Sequence, residues 1–262
     1  MLKIATPISH LFKNPFFAEE ISFYSDVLEF RDHSVNHNQH IQEVFHCELQ
    51  PIHKLEDKDF EYLQKIKNEK KSLRLVSFHM ASCYDRPIIN DAVYQPGGRK
   101  YSIDEMLNYA KNNFIKIKSI FGKEVKLAVE NNNYYPTEAY NIVTNPDFIK
   151  TIVEENDIYF LFDIAHSKVT AHNYSVPYMD YVKGLPLNRC LQLHICRHGI
   201  NEKTGNAFDA HYPPSAQDLL EVIDYLKKHT TIEYLTIEYY KDASLLVELL
   251  KEFKKSIYEL SR

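Results

Sequence analysis

Nine side chains able to ligate a metal punctuate this chain of 262 residues: His46, His79, Glu130, Asp163, His166, His194, Asp209, His211 and Glu238. Six of them close short apolar runs. Val44 and Phe45 lead to His46, Leu75 to Phe78 lead to His79, and Val125 to Val129 lead to Glu130. Ile158 to Phe162 lead to Asp163, Leu191 to Leu193 lead to His194, and Leu235 to Ile237 lead to Glu238. A buried strand has no packing reason to end in a carboxylate. Taken singly, each residue has a bland explanation, because a strand-end Asp or Glu often caps the next helix and a strand-end His is often a hydrogen-bonded core residue. Taken together they defeat it. Four carboxylates converging on one place repel unless cations balance them, and five neutral imidazoles add nitrogen donors without obligatory charge. An all-nitrogen, all-oxygen set suits iron, manganese or zinc better than copper(I) or an iron–sulfur cluster. Cys47 follows His46 directly, so strand alternation sends it to the opposite face, and Cys196 shares the parity of His194 but lies beyond it, as lining rather than ligand.

The elements that must position these residues follow from hydrophobic period. Eight short apolar runs are legible: Lys3 to Ile8, Asp26 to Phe30, Glu43 to Glu48, Leu73 to Met80, Val125 to Glu130, Ile158 to Ile164, Cys190 to Cys196 and Tyr234 to Tyr239. Stretches with helical spacing lie between them, over Asp57 to Lys70, Ile103 to Phe121, Pro146 to Glu155, Ser215 to His229 and Ala243 to Leu260. This alternation predicts a (β/α)8 TIM barrel occupying 1–262 as a single domain, with its site at the C-terminal ends of the strands. Asp209 and His211 fall in a predicted loop that reaches back over the barrel mouth. The excursion Ala81 to Tyr101, with Pro87, Pro96, Gly97 and Gly98, reads as a long functional loop on the same face. Asn132, His172, Asn173, Arg197 and His198 lie beside ligands in sequence and read as residues that orient them or touch substrate. His33, His37, His40, His53 and His229 sit in polar contexts and read as surface residues.

Composition narrows the class. With 44% hydrophobic and 26% charged residues, the chain can bury a sizeable core. A formal charge of -5 gives no general attraction for polyanions, so nucleic acid is not an expected partner. No run reaches bilayer length, the first 17 residues lack the pattern of a signal peptide, and the four cysteines form no CxxC pair. A cytoplasmic protein with reduced thiols and no membrane contact is the expectation.

The motifs also carry a resemblance. Glu130-Asn131, the segment Asp163 to His166 followed by Ala171-His172-Asn173, the stretch Leu185 to His194, the His194 and His198 pair, Asp209-Ala210-His211 with Pro213 and Pro214, and Ile237-Glu238 together resemble the multinuclear non-haem iron-dependent oxidative enzymes. That family includes the iron oxidase of methanobactin biosynthesis. The resemblance is clearest from Val125 onward, with His46 and His79 at compatible spacings upstream. It implies a xylose-isomerase-like TIM barrel holding two or three Fe ions (Fe2+/Fe3+), using dioxygen to modify a residue, Cys above all, in a ribosomally made precursor peptide. It further implies a small peptide-recognition partner protein. The ligands would divide as His46, His79 and Glu130 at one iron, Glu130 bridging to a second held by Asp163, His194 and Glu238, and His166, Asp209 and His211 at a third.

Other readings share the same residues. The set is similar to the trinuclear zinc site of the endonuclease IV family, where Zn or Mn would activate water for phosphodiester cleavage. Against it, the segment after His211 lacks a glycine-rich, basic continuation and the net charge is acidic. A sugar isomerase would use two metals and leave Asp209 and His211 with less to do. A non-catalytic barrel that binds through its loops would have no need to keep all nine residues.

Overall fold

The apolar runs close into a barrel. The structure is a computed structural model that describes residues 2–37 and 41–260, so the expectation for His40 lies outside the described residues. Its strands are β1 (Lys3–Pro7), β2 (Val27–Arg31), β3 (Gln42–Cys47), β4 (Leu75–Phe78), β5 (Ile88–Asn90), β6 (Val93–Gln95), β7 (Lys126–Glu130), β8 (Tyr159–Asp163), β9 (Cys190–Ile195), β10 (Arg197–Ile200), β11 (Ala207–Tyr212) and β12 (Tyr234–Ile237). Eight of these form one closed parallel barrel in the order β1-β12-β9-β8-β7-β4-β3-β2. Closure is made by β1, which sets Lys3 opposite Tyr234 and Ala5 opposite Val27. The remaining four make two antiparallel hairpins, β5 with β6 and β10 with β11.

Inside the barrel, Ala5, Val27, Val44, Leu75, Ala128, Leu161, Leu191 and Tyr234 pack as one apolar layer. Side chains on a strand return to the same face every second residue. One step toward the mouth therefore brings Glu29, His46, Ser77, Glu130 and Asp163 into the interior from five strands, and Thr236 and then Glu238 follow Tyr234. The outward faces, with Phe30, Phe45, Phe78, Val129, Phe162 and Ile237, are buried against the helices. A chain register set by one apolar layer thus aims the polar layer above it.

The helices are α1 (Pro15–Tyr24), α2 (Asp57–Glu69), α3 (Ile103–Phe121), α4 (Pro146–Glu155), α5 (Ile164–Tyr174), α6 (Tyr178–Lys183), α7 (Ala216–Lys228) and α8 (Ala243–Leu260). Their ends are set locally. Ser102 and Glu105 exchange side-chain and backbone hydrogen bonds at the start of α3, Gly122 at φ 69° ends it, and Ser215 with Asp218 repeats the box on α7. Asn145 and Pro146 open α4.

Several expectations need correction. Helices α1, α5 and α6 were not among the helical stretches read from sequence. The Ala81 to Tyr101 excursion contains the β5–β6 hairpin, and Asp209 with His211 lie on β11 of the second hairpin, not in a loop. His33 is exposed, but His37, His53 and His229 are half-buried, and His53 Nε2 lies 2.7 Å from the Ser82 carbonyl oxygen. All four cysteines are free and buried. Among the described residues no helix is long and apolar enough to cross a membrane.

Candidate metal centre

All nine sequence-selected residues meet at the C-terminal mouth of the barrel. Strands β3 and β4 deliver His46 and the following His79, whose Nε2 atoms stand 2.6 Å apart. Both point at one oxygen of Glu130, Oε2, from 3.5 Å and 3.6 Å. The Nδ1 atom of His46 lies 2.8 Å from Ser77 Oγ, which leaves Nε2 for the cluster. The other oxygen of Glu130, Oε1, faces away from this pair toward His194 Nδ1 at 3.5 Å and His166 Nδ1 at 3.7 Å. One carboxylate thus faces two separate groups of donors.

Asp163 ends β8 and begins α5. Its Oδ1 accepts a hydrogen bond from the His166 backbone N–H at 2.7 Å and caps the helix, whereas Oδ2, also buried, has no hydrogen-bond partner. The bland role of a strand-end Asp is therefore real for one oxygen and leaves the other over. Asn131 clamps the two strand ends together, donating to the Asp163 carbonyl at 2.9 Å while its Oδ1 accepts from the Asp163 N–H at 2.9 Å. His194 is fully buried, with Nε2 3.0 Å from Glu29 Oε2. Its Nδ1 lies 3.2 Å from Glu238 Oε1 and makes no hydrogen bond. On the far side, the β11 hairpin brings Asp209 Oδ2 to 3.5 Å from His166 Nε2 and 3.3 Å from His211 Nδ1. His211 Nε2 faces Glu238 Oε2 at 3.6 Å. His211 holds φ at 43°, a left-handed conformation that costs a non-glycine residue energy and is found where surrounding structure imposes it.

Two residues of the cluster escape sequence reading, Glu29 and Arg31. Arg31 donates to Glu29 Oε1 at 2.9 Å and to Glu238 Oε1, and Glu29 Oε2 also accepts from Gln192 at 2.8 Å and Thr236 at 3.1 Å. The signal was present: two charges at alternate positions in the otherwise apolar run Val27-Leu28-Glu29-Phe30-Arg31 must both face the barrel interior.

Electrostatics report a shortage of positive charge. Five carboxylates meet here, and Arg31 is the one permanently charged cation among the described residues lining the mouth. Burial lifts the Asp163 carboxyl to about 7; His166 opposes the shift, while Glu238, Glu130 and Asp209 add to it. Burial works against charge on His194 and His166 as well, yet the surrounding carboxylates, Glu238 and Glu29 for the first and Asp163 and Glu130 for the second, raise both well above the ordinary imidazole value. His79, half-buried beside His46, falls to about 3 through desolvation and the neighbouring imidazole. Protons on imidazoles and on Asp163 thus do what cations would do. The unpartnered Asp163 Oδ2 and His194 Nδ1, and the donor groups His46–His79–Glu130, Glu130–Asp163–His166, Glu29–His194–Glu238 and Cys196–His211–Glu238, each with donor atoms within 4.8 Å, fit metal ions.

Above the cluster opens a cavity of about 240 Å³, walled by Met80, Ala81, Asn132, Asn133 and Tyr140 and by Ala92 and Tyr94 of the first hairpin. Of the five flanking residues, Asn132 lines this cavity and donates to the Ala81 carbonyl at 3.3 Å. Asn173 donates to the Tyr134 and Ala207 carbonyls at 2.7 and 3.0 Å and accepts from the Ala207 N–H at 2.8 Å, tying β11 to α5. His172 Nε2 lies 2.8 Å from the Gly205 carbonyl, Arg197 is exposed with its guanidinium over the Tyr212 ring, and His198 is half-buried on β10.

A closed parallel barrel with four groups of possible metal donors at its mouth has the fold of the xylose-isomerase-like TIM barrels. Solved structures agree on the fold. A 3-keto-D-glucoside 4-epimerase from E. coli superposes with a TM-score of 0.64 over 97% of this chain and 100% of that one at 11% identity. A xylose isomerase-like TIM barrel protein from Mycobacterium smegmatis, in complex with magnesium, gives 0.59 over 97% and 96% at 10% identity. Residues 37–259 match the family described as RiPP precursor modification enzyme MbnB/TglH/ChrH, and the chain belongs to that family. A UPF0276 protein of Acaryochloris marina is 27% identical over 111 residues, 42% of this chain and 39% of that protein, so the match spans less than half of that relative's length. The resemblance read from the Glu130, Asp163, His194, Asp209 and Glu238 motifs is borne out at the level of the family.

Proposed function

We propose that this chain is an iron-dependent oxidative enzyme that uses dioxygen to modify a residue, Cys foremost, of a ribosomally made precursor peptide. The observation that carries the reading is Glu130, whose Oε2 faces His46 and His79 while Oε1 faces His194 and His166. A carboxylate placed this way would bridge two metal ions, and donors of nitrogen and oxygen would suit iron. His46, His79 and Glu130 would hold the first ion, and Glu130, Asp163, His194 and Glu238 the second. His166, Asp209 and His211 would hold a third. Bound iron would supply a site for the substrate side chain beside a site for dioxygen. The chain's own contribution is placement. Ser77 and Glu29 orient His46 and His194, Asn131 fixes the Asp163 strand end, and the cavity between Met80 and the Tyr94 hairpin admits a side chain to the cluster. Family membership supports a peptide substrate, and a small recognition protein would present it.

Phosphodiester hydrolysis fits less well. Arg31 is committed to Glu29 and Glu238, so no uncommitted Arg or Lys lines the cavity, among the described residues, to receive a phosphate. The test is elemental analysis with Mössbauer spectroscopy on protein purified without oxygen from cells fed iron-57. Two or three irons per chain, partly ferrous and converted by air, are the expected result. Stoichiometric zinc persisting after iron supplementation would overturn the iron assignment and favour hydrolysis.

A further inference from the structure

One of the four donor groups, Cys196–His211–Glu238, differs from the other three in containing sulfur. Cys196 is the single residue joining β9 to β10, and at 1% exposure it is buried at the barrel mouth. Its Sγ, His211 Nε2 or Nδ1 and a Glu238 oxygen lie within 4.8 Å of one another.

The two ends of these side chains are not equivalent. Glu238 Oε1 is already engaged, accepting from Arg31 and from Tyr240 OH at 3.2 Å, whereas Oε2 faces His211 Nε2 at 3.6 Å. His211 Nδ1 faces Asp209 Oδ2 at 3.3 Å, an arrangement that places the proton on Nδ1 and leaves Nε2 as donor. Asp209 Oδ1 lies 3.5 Å from Cys196 Sγ, so the same carboxylate braces both the imidazole and the thiol. On the other side of Glu238, His194 Nδ1, on a fully buried ring without a hydrogen-bond partner, faces Oε1 from 3.2 Å, so the Glu238 carboxylate stands between two donor groups and presents a separate oxygen to each.

We propose that Cys196 is a thiolate ligand of a metal position completed by His211 Nε2 and Glu238 Oε2, with Asp209 positioning the two outer ligands. The inference rests on the reading of the mouth as a metal centre and changes the donor set of its third position. When the bond forms, the Sγ–H proton passes to solvent and the sulfur is not oxidised. A sulfur donor shifts the position toward metals that accept thiolate, such as iron(II), zinc or cobalt(II), and away from magnesium or manganese.

Anaerobic titration of the metal-free, full-length protein with cobalt(II) tests this. Wild type is expected to show visible cobalt absorption from all bound ions and, in addition, a near-ultraviolet sulfur-to-cobalt charge-transfer band. Cys196→Ser and Cys196→Ala are expected to keep the visible absorption of the His46 and His79 position, lose the ultraviolet band and bind about one cobalt fewer. Cobalt bound in wild type without the ultraviolet band overturns the thiolate and leaves the metal centre standing. A band that survives Cys196→Ala belongs to another thiol and also overturns it. Failure to bind cobalt at all removes the metal centre itself. Absence of the band in wild type overturns the thiolate even if one variant does not fold, and the other variant then assigns a band that is present.

Discussion

Glu29 determines which nitrogen His194 offers. Its Oε2, 3.0 Å from His194 Nε2, fixes the proton there and turns Nδ1 toward Glu130 and Glu238. Carboxylates in this role typically contribute 10–100-fold to metal affinity. Glu29→Gln keeps the side-chain shape and removes the charge, so affinity at the position shared by His194 should fall by about 10–100-fold while the His46 and His79 position is spared. Competition with a chromophoric chelator measures this, and identical affinities in both proteins would reduce Glu29 to a barrel-packing residue. Glu130→Ala acts on both sides of the bridge and should empty about two positions per chain, because each loses the oxygen facing it. A variant with wild-type metal content would sink the bridge. The contrast between these residues also explains what sequence made visible. Glu130 stands at the end of an apolar run, where a carboxylate is conspicuous, whereas Glu29 is followed by Phe30 and Arg31 and looks like half of a surface ion pair until the barrel closes around it.

At the level of elements, the eight barrel strands were legible because each is largely buried on both faces and reads as a short, mainly apolar run. Helix α5 was not legible. It begins at Ile164, directly after the last residue of β8, and its sequence Ile-Ala-His-Ser-Lys-Val-Thr-Ala-His-Asn-Tyr buries small and polar residues without an apolar stripe. The hairpin β5–β6 turns through Asp91 and Ala92 at φ 48° and 61°, left-handed positions where Asn-Gly would have announced the turn. The second hairpin carries Asp209 and His211, and its register is fixed from outside by Asn173 on α5, which makes three hydrogen bonds to Tyr134 and Ala207. Each such bond contributes about 1 kcal/mol. Asn173→Ala should therefore loosen the hairpin by about 1–2 kcal/mol, discounting for the half-buried side chain. Hydrogen exchange should quicken in β10 and β11 and stay unchanged in the barrel strands, with metal content falling by about one per chain. Uniform exchange across the chain would show that the barrel holds the hairpin without Asn173.

For the whole molecule, the mouth is a place where stability and charge are coupled, and the sign of that coupling reverses along the pH scale. Burial opposes charge on Glu29, but His194 and Arg31 win and hold it at about 2 against an ordinary 4.5. A lowered folded-state pKa contributes stability above 4.5 that is lost as pH falls toward 2. His194 and His166 are raised above 6.5, so their contribution is complete below that value and disappears as pH rises through the folded-state values. Asp163, raised to about 7, works in the same direction as the histidines, since the folded state keeps a proton that the unfolded chain releases from about 3.8 upward. Metal-free protein should accordingly be most stable in mildly acidic solution and weaken toward alkaline pH, as imidazolium charge is lost from among five carboxylates. Metal ions replace those protons with charge that does not titrate away, and they bind the folded state alone. Loaded protein should therefore gain about 4 kcal/mol at a free metal concentration 1,000 times Kd. The gap in melting temperature between chelator-treated and loaded protein should then widen steadily from pH ~6 to pH ~9. A constant gap over that range would mean that His194 and His166 are neutral in the metal-free barrel, and that the carboxylates there are held apart by something other than protonated imidazole.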